Sequence, residues 1–142
     1  MRLPEDTTLY LPIKQTYFDQ IIAGAKVVEY REVREGVTMA RYLIKDKNPS
    51  GYKLDPAHTD PNKRYFYNDY NGGHYPFLPK PYRKLFLGVG YNKNRDTATV
   101  EITGISFHPE QILNDRDGNP CFCWWIEAFH LGRVLSVHRC KR

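Results

Sequence analysis

Lys26, Glu29 and Arg31 fall within eight residues, Gly24-Ala25-Lys26-Val27-Val28-Glu29-Tyr30-Arg31. An ammonium and a guanidinium can hold a phosphate or the carbonyl edge of a base. A carboxylate between them can accept from an exocyclic amine, orient a water or take a proton. The spacing gives them a common side, because residues 27–33 alternate as a strand does. Val27, Glu29, Arg31 and Val33 point one way, and Val28, Tyr30 and Glu32 the other. Lys26 stands at the turn that enters the strand. On the strand pattern alone, an exposed or half-buried ion pair of little energetic value accounts for these charges.

The elements that must position them read clearly. Residues 16–23 form a short helix, with Phe18 and Ile22 four apart and Tyr17 and Ile21 likewise, each pair on one side. Thr16 is placed to cap its start, with Asp19 three residues on. Gly24 is the natural stop, since a residue without Cβ takes the left-handed conformation at low cost. Residues 9–14 read as a first strand, with Pro12 marking an edge or a bulge.

Beyond the octet, Val37, Ala40 and Leu43 or Ile44 predict a second helix within residues 34–44. Residues 45–64 turn polar, with Pro49, Gly51, Pro56 and Pro61. Their length suits a disordered insertion better than a lid or a flap on nucleic acid. Residues 65–77 are an aromatic cluster around Asn71-Gly72-Gly73, a sequence suited to a hairpin turn. Such clusters form satellite cores more often than base-stacking surfaces, although Lys63, Arg64, Lys80, Arg83 and Lys84 lie beside this one.

Residues 85–91 and 97–105 predict an antiparallel hairpin, with Ala98, Val100 and Ile102 on its apolar face and Gly88 and Gly90 allowing a bend. One helical turn is expected at 108–113, a turn-rich loop at 114–120, a strand at 121–130 and a short last strand at 134–138. Trp124 and Trp125 face opposite sides, one toward the core and one toward a cleft or partner. The basic end, residues 138–142, reads as a solvated tail.

The 142 residues suffice for one domain with a proper core. A net charge of +5 favours polyanionic partners, though weakly. The three cysteines, an odd number, do not suggest a disulfide framework, so a reducing interior is expected. No apolar run is long enough for a signal region or a membrane span, which places the protein in the cytoplasm. Cys121, Cys123 and Cys140, with His130 and His138, lack ordinary zinc spacing, so no metal is expected. Neither is a cofactor. Ser136 and His138 share a strand face without an acid in view.

The pattern Gly-x-Lys-x-x-Glu-x-Arg, after a helix and entering a strand, resembles the ASCH domain, a branch of the PUA-like β-barrels. The likeness extends back to Leu11-Pro12-Ile13-Lys14 and through Tyr17, Phe18 and Ile21. It returns at residues 100–105 and 129–134, so it covers most of the chain and is weakest over 45–83. It implies an α+β fold, a PUA-like, partly open β-barrel of about five to seven strands flanked by short helices. The whole of 1–142 would be a single domain with a polar loop insertion at about 45–64.

The resemblance also implies a ligand cleft beside the barrel mouth, built on Gly24, Lys26, Glu29 and Arg31 with Lys14. The ligand would be RNA or nucleotide-like. Lys26 and Arg31 would hold phosphate or a base carbonyl, and Glu29 would read an amino group or orient Arg31. Tyr30 would pack under the helix. Two other classes stay open. One is an enzyme using the same cleft, either cleaving RNA or acting on a modified nucleoside as the related acetylcytidine amidohydrolases do. Those carry a threonine nucleophile where this chain has Glu29, so only a carboxylate base or nucleophile would remain, with Lys26 and Arg31 beside it. The other is a protein-interaction domain that uses the exposed aromatics.

Overall fold

The computed structural model describes residues 7–34, 36–66, 71–110, 112–122 and 124–140. Leu9, Leu11 and Ile13 turn inward from β1 (Thr8–Ile13), while Tyr10 and Pro12 face out. The chain passes directly from β1 into α1 (Gln15–Ile22), which buries Phe18 and Ile21. Lys14, in extended conformation, is the residue before the helix, and no side chain caps it. Thr16 therefore lies inside the first turn and cannot act as the predicted cap. β2 (Val28–Val33) follows, then α2 (Met39–Tyr42), β3 (Lys84–Val89), β4 (Thr97–Pro109), β5 (Ile112–Asn114), β6 (Pro120–Phe122) and β7 (Trp125–His138).

The protein is α+β. A mixed sheet runs β1-β3-β4-β7-β2, and β5 and β6 form a separate antiparallel pair. Among the described residues the five-stranded sheet is not closed into a barrel. β1 pairs parallel with β3, and β3 antiparallel with β4 as the predicted hairpin. β1 lies at the sheet's edge, where a proline without an N–H is tolerated. Among the described residues no helix is long and apolar enough to cross a membrane.

The chain gathers into two compact units. The first takes Met1–Glu29, Pro81–Gly104 and Phe129–Arg142; the second takes Tyr30–Lys80 and Ile105–Ala128. In the first, Leu9, Leu11, Phe18, Leu85, Leu87, Val100 and Phe129 are buried. In the second, Val33, Met39, Leu43, Tyr65, Tyr75, Phe77 and Trp125 are buried. Tyr65, Tyr75 and Phe77 thus form core, as expected of the aromatic cluster. Residues 67–70 of that cluster lie outside the described residues.

Several expectations are corrected. The second helix is a single turn, with Met39 and Tyr42 buried and Val37 exposed. The hydroxyl of Thr38 accepts from the Arg34 N–H and donates to the Glu32 carbonyl, closing a turn before the helix starts. Residues 45–64 are ordered. The Asn48 carboxamide accepts from Ser50 and Gly51 N–H groups and donates to the Tyr52 carbonyl, while backbone bridges join Lys45 to Tyr52 and Leu54 to Phe77. Side-chain oxygens and amides replace an apolar stripe here.

The helical turn expected at 108–113 is absent because β4 continues to Pro109 and β5 starts at Ile112. The last two predicted strands are one, since β7 runs unbroken from Trp125 to His138. Cys123 and the Cys121 side chain lie outside the described residues.

Candidate ligand site around Lys26 and Glu29

The turn after α1 is set by Gly24, whose φ of +79° lies where side chains with Cβ are strained. The Gly24 N–H donates to the Ile21 carbonyl, and those of Ala25 and Lys26 both donate to the Gln20 carbonyl. This fixes the Lys26 backbone three residues before Glu29. Lys26 Nζ lies 4.0 Å from Glu29 Oε1 and 5.4 Å from the centre of the Tyr17 ring. Glu29 is only 5% exposed. A carboxylate so far removed from water keeps its charge only where other groups compensate the lost hydration, and the Lys26 ammonium contributes to that.

Arg31 occupies the next position of the same pleat and is half-buried; its guanidinium donates to the Tyr30 carbonyl at 2.8 Å. Glu29 closes the first unit's segment, and Arg31 belongs to the second. Tyr30 is 52% exposed. The alternation of β2 explains this, since Glu29 and Val33 take the buried side and Tyr30 the other. Lys14 stands exposed at the start of α1, one helix length (about 12 Å) from Gly24.

Sequence reasoning missed two polar centres. In the first unit, Asp96 is 3% exposed. It accepts from Gln15 Nε2 at 3.0 Å, Arg139 Nη1 at 3.1 Å and the Cys140 N–H at 2.8 Å. Arg139 also bonds Asp19 at 2.8 Å and lies 5.1 Å from the centre of the Phe18 ring. The segment expected to be a solvated tail is therefore pinned at Arg139 and Cys140. These partners lie far apart in sequence, so no local pattern announced them.

The hydrogen bond from Arg139 holds the Asp19 carboxyl below its ordinary value, with Gln15 contributing. A depressed carboxyl stabilises the native state above its unfolded value and stops doing so as pH falls through the lowered one. The stability gap between wild type and Arg139→Ala should therefore close as pH drops well below 3.8, followed by urea unfolding at several acid pH values. A gap that persists at full strength there would show that this ion pair contributes nothing.

In the second unit, Tyr75 stacks on Phe107 at 4.3 Å and meets Trp125 at 5.1 Å and Phe77 at 5.6 Å. The Tyr75 hydroxyl and both Glu127 oxygens are buried and find no hydrogen-bond partner among the described residues. Burial pushes Glu127 up to about 8. Tyr75 is raised further above its ordinary range, by burial first and then by the Glu127 charge. Beside them Tyr75, Phe77, Phe107, His58, His74 and Asp55 line a cavity of about 230 Å³. The signal for Glu127 was present: it is the one acid in Trp124-Trp125-Ile126-Glu127-Ala128-Phe129. Trp125 is fully buried, as expected of one of the pair, and Trp124 is half-buried just before β7.

Among the described residues no group of three or more histidine, cysteine, aspartate or glutamate side chains could hold a metal ion. Compared with protein-family models, with curated proteins and with solved structures, the chain gives no match.

Proposed function

We propose that the chain is an ASCH-type, PUA-like nucleic-acid-binding domain that takes RNA at the Gly24–Arg31 octet. The observation that carries this reading is the withdrawal of Glu29 from water beside Lys26, on a turn fixed by Gly24. An ion pair with no further role normally keeps both partners in solvent, where desolvation costs little. Here a buried carboxylate offers an acceptor for a base amino group, and Lys26 offers a cation for phosphate or carbonyl oxygen. Arg31 is the octet's second cation and in this reading takes phosphate or a base carbonyl. The chain's charge of +5 favours the same partner.

Labelled cellular RNA should bind at low salt and dissociate steeply as salt rises. Lys26→Ala and Arg31→Ala should each weaken binding about tenfold and reduce the salt slope by about one. Fluorescence anisotropy reads both effects, and no binding of pooled RNA at low salt overturns the reading.

The burial of Glu29 beside an ammonium also favours a second reading, a hydrolase acting on an acylated nucleoside or on RNA, with Glu29 as general base. Glu29→Gln should then lower turnover by about a hundredfold or more. Unchanged turnover would remove Glu29 from the chemistry.

A further inference from the structure

We infer that the outer face of the β1–β3 pair is a stacking platform for the unpaired bases of single-stranded nucleic acid. The inference rests on the nucleic-acid reading above but uses none of its residues. Tyr10 and Phe86 are register partners across the parallel pair, and their ring centres lie 5.4 Å apart at an interplanar angle of 51°. Tyr10 is 55% exposed and Tyr91, just beyond β3, is 86% exposed. The core under this face is filled by Leu9, Leu11, Leu85 and Leu87, which point the other way. Tyr10 and Tyr91 thus keep much of their ring surface open to solvent on the side away from that core.

The three rings, with Pro12, Gly88 and Arg95, line a hollow of about 190 Å³ that holds a guanidinium and, among the described residues, no carboxylate. Gly88 leaves the floor open for that guanidinium: a Cβ built there would stand 2.7 Å from Arg95 Cζ. Arg95 is steadied by donating to the Gly90 carbonyl at 2.7 Å. Lys84, exposed and two residues before Phe86 on the same face, extends the positive charge along the strand.

Aromatic rings beside fixed cations suit one ligand chemistry above others. Every base presents a π face to a ring, and every nucleotide presents a phosphate to a cation. A duplex hides its base faces by pairing and stacking, so the platform takes single strands. Acidic peptides would answer the cations but leave the rings unused.

The test measures binding of a short labelled oligouridine and of a duplex of equal length, with melting followed by circular dichroism. Tyr10→Ala with Tyr91→Ala should weaken single-strand binding about tenfold or more, leaving the melting profile unchanged because both rings are exposed. Gly88→Ala should weaken it severalfold by displacing the Arg95 guanidinium while leaving every ring in place. Wild-type binding by the double variant, with loss on Lys26→Ala, overturns the platform and leaves the octet reading standing. The reverse pattern supports the platform and overturns the octet. Equal affinity for the duplex overturns stacking, and no binding of any single strand overturns both readings.

Discussion

Raising the pH from 5 to 8 should cost the native protein stability that a Glu127→Gln variant keeps. The Glu127 carboxyl is fully buried, and burial pushes it from 4.5 up to about 8. Between those values the unfolded chain has released this proton while the native state still holds it. The sign follows: the native state binds more protons, so stability falls as pH rises through the window and levels off above it. Each pH unit in the window costs about 1.4 kcal/mol, which gives a ceiling on the order of 4 kcal/mol across it.

Glutamine keeps the shape of the neutral acid but has no proton to lose. The variant should match wild type near pH 5 and exceed it at pH 8, as read from urea midpoints at each pH. Taking the difference between the two proteins removes titrations that both share, including that of Asp19 in more acid solution. Parallel pH profiles would mean that Glu127 ionises as freely in the native state as in the unfolded chain.

Asp96→Ala should destabilise the protein by about 2–4 kcal/mol. The substitution strips partners from a buried backbone N–H at Cys140 and from the Gln15 carboxamide and Arg139 guanidinium. It does so in a spot that is 3% exposed, where water replaces those bonds poorly. Asp96→Asn should fall between alanine and wild type, since it retains an acceptor but not the charge. Chemical denaturation measures all three. A midpoint for the alanine variant within about 0.5 kcal/mol of wild type, the range of an ordinary surface change, would make the cluster a bystander.

What could be read from the chain was local. The run from α1 through Gly24 into β2 depends on a four-residue stripe, a left-handed glycine and a two-residue alternation, all visible in one short window. The β3–β4 hairpin was legible for the same reason. The site was legible only in part: Lys26 and Glu29 meet because they stand three positions apart in sequence.

What escaped was set at a distance. Residues 45–64 look disordered because their order comes from Asn48 and from bridges to Phe77 and other partners, not from an apolar period. Val37 was taken for a core residue because helical spacing is easily met by chance in a short stretch, and the helix proved to be one turn. Asp96 and Arg139 find each other across 43 positions, and nothing in either neighbourhood marks the pairing.

The first unit is threaded from three separate stretches of chain, and its edge strand β1 pairs with β3 rather than with any near neighbour in sequence. During synthesis the opening strand must wait, unpartnered, while the whole intervening segment emerges. The clasp on Asp96 cannot shut until Arg139 has left the ribosome. Such a topology closes large loops before any contact repays them, so folding should be slow, on a scale of milliseconds to seconds, with the Asp96–Arg139 clasp among its late steps.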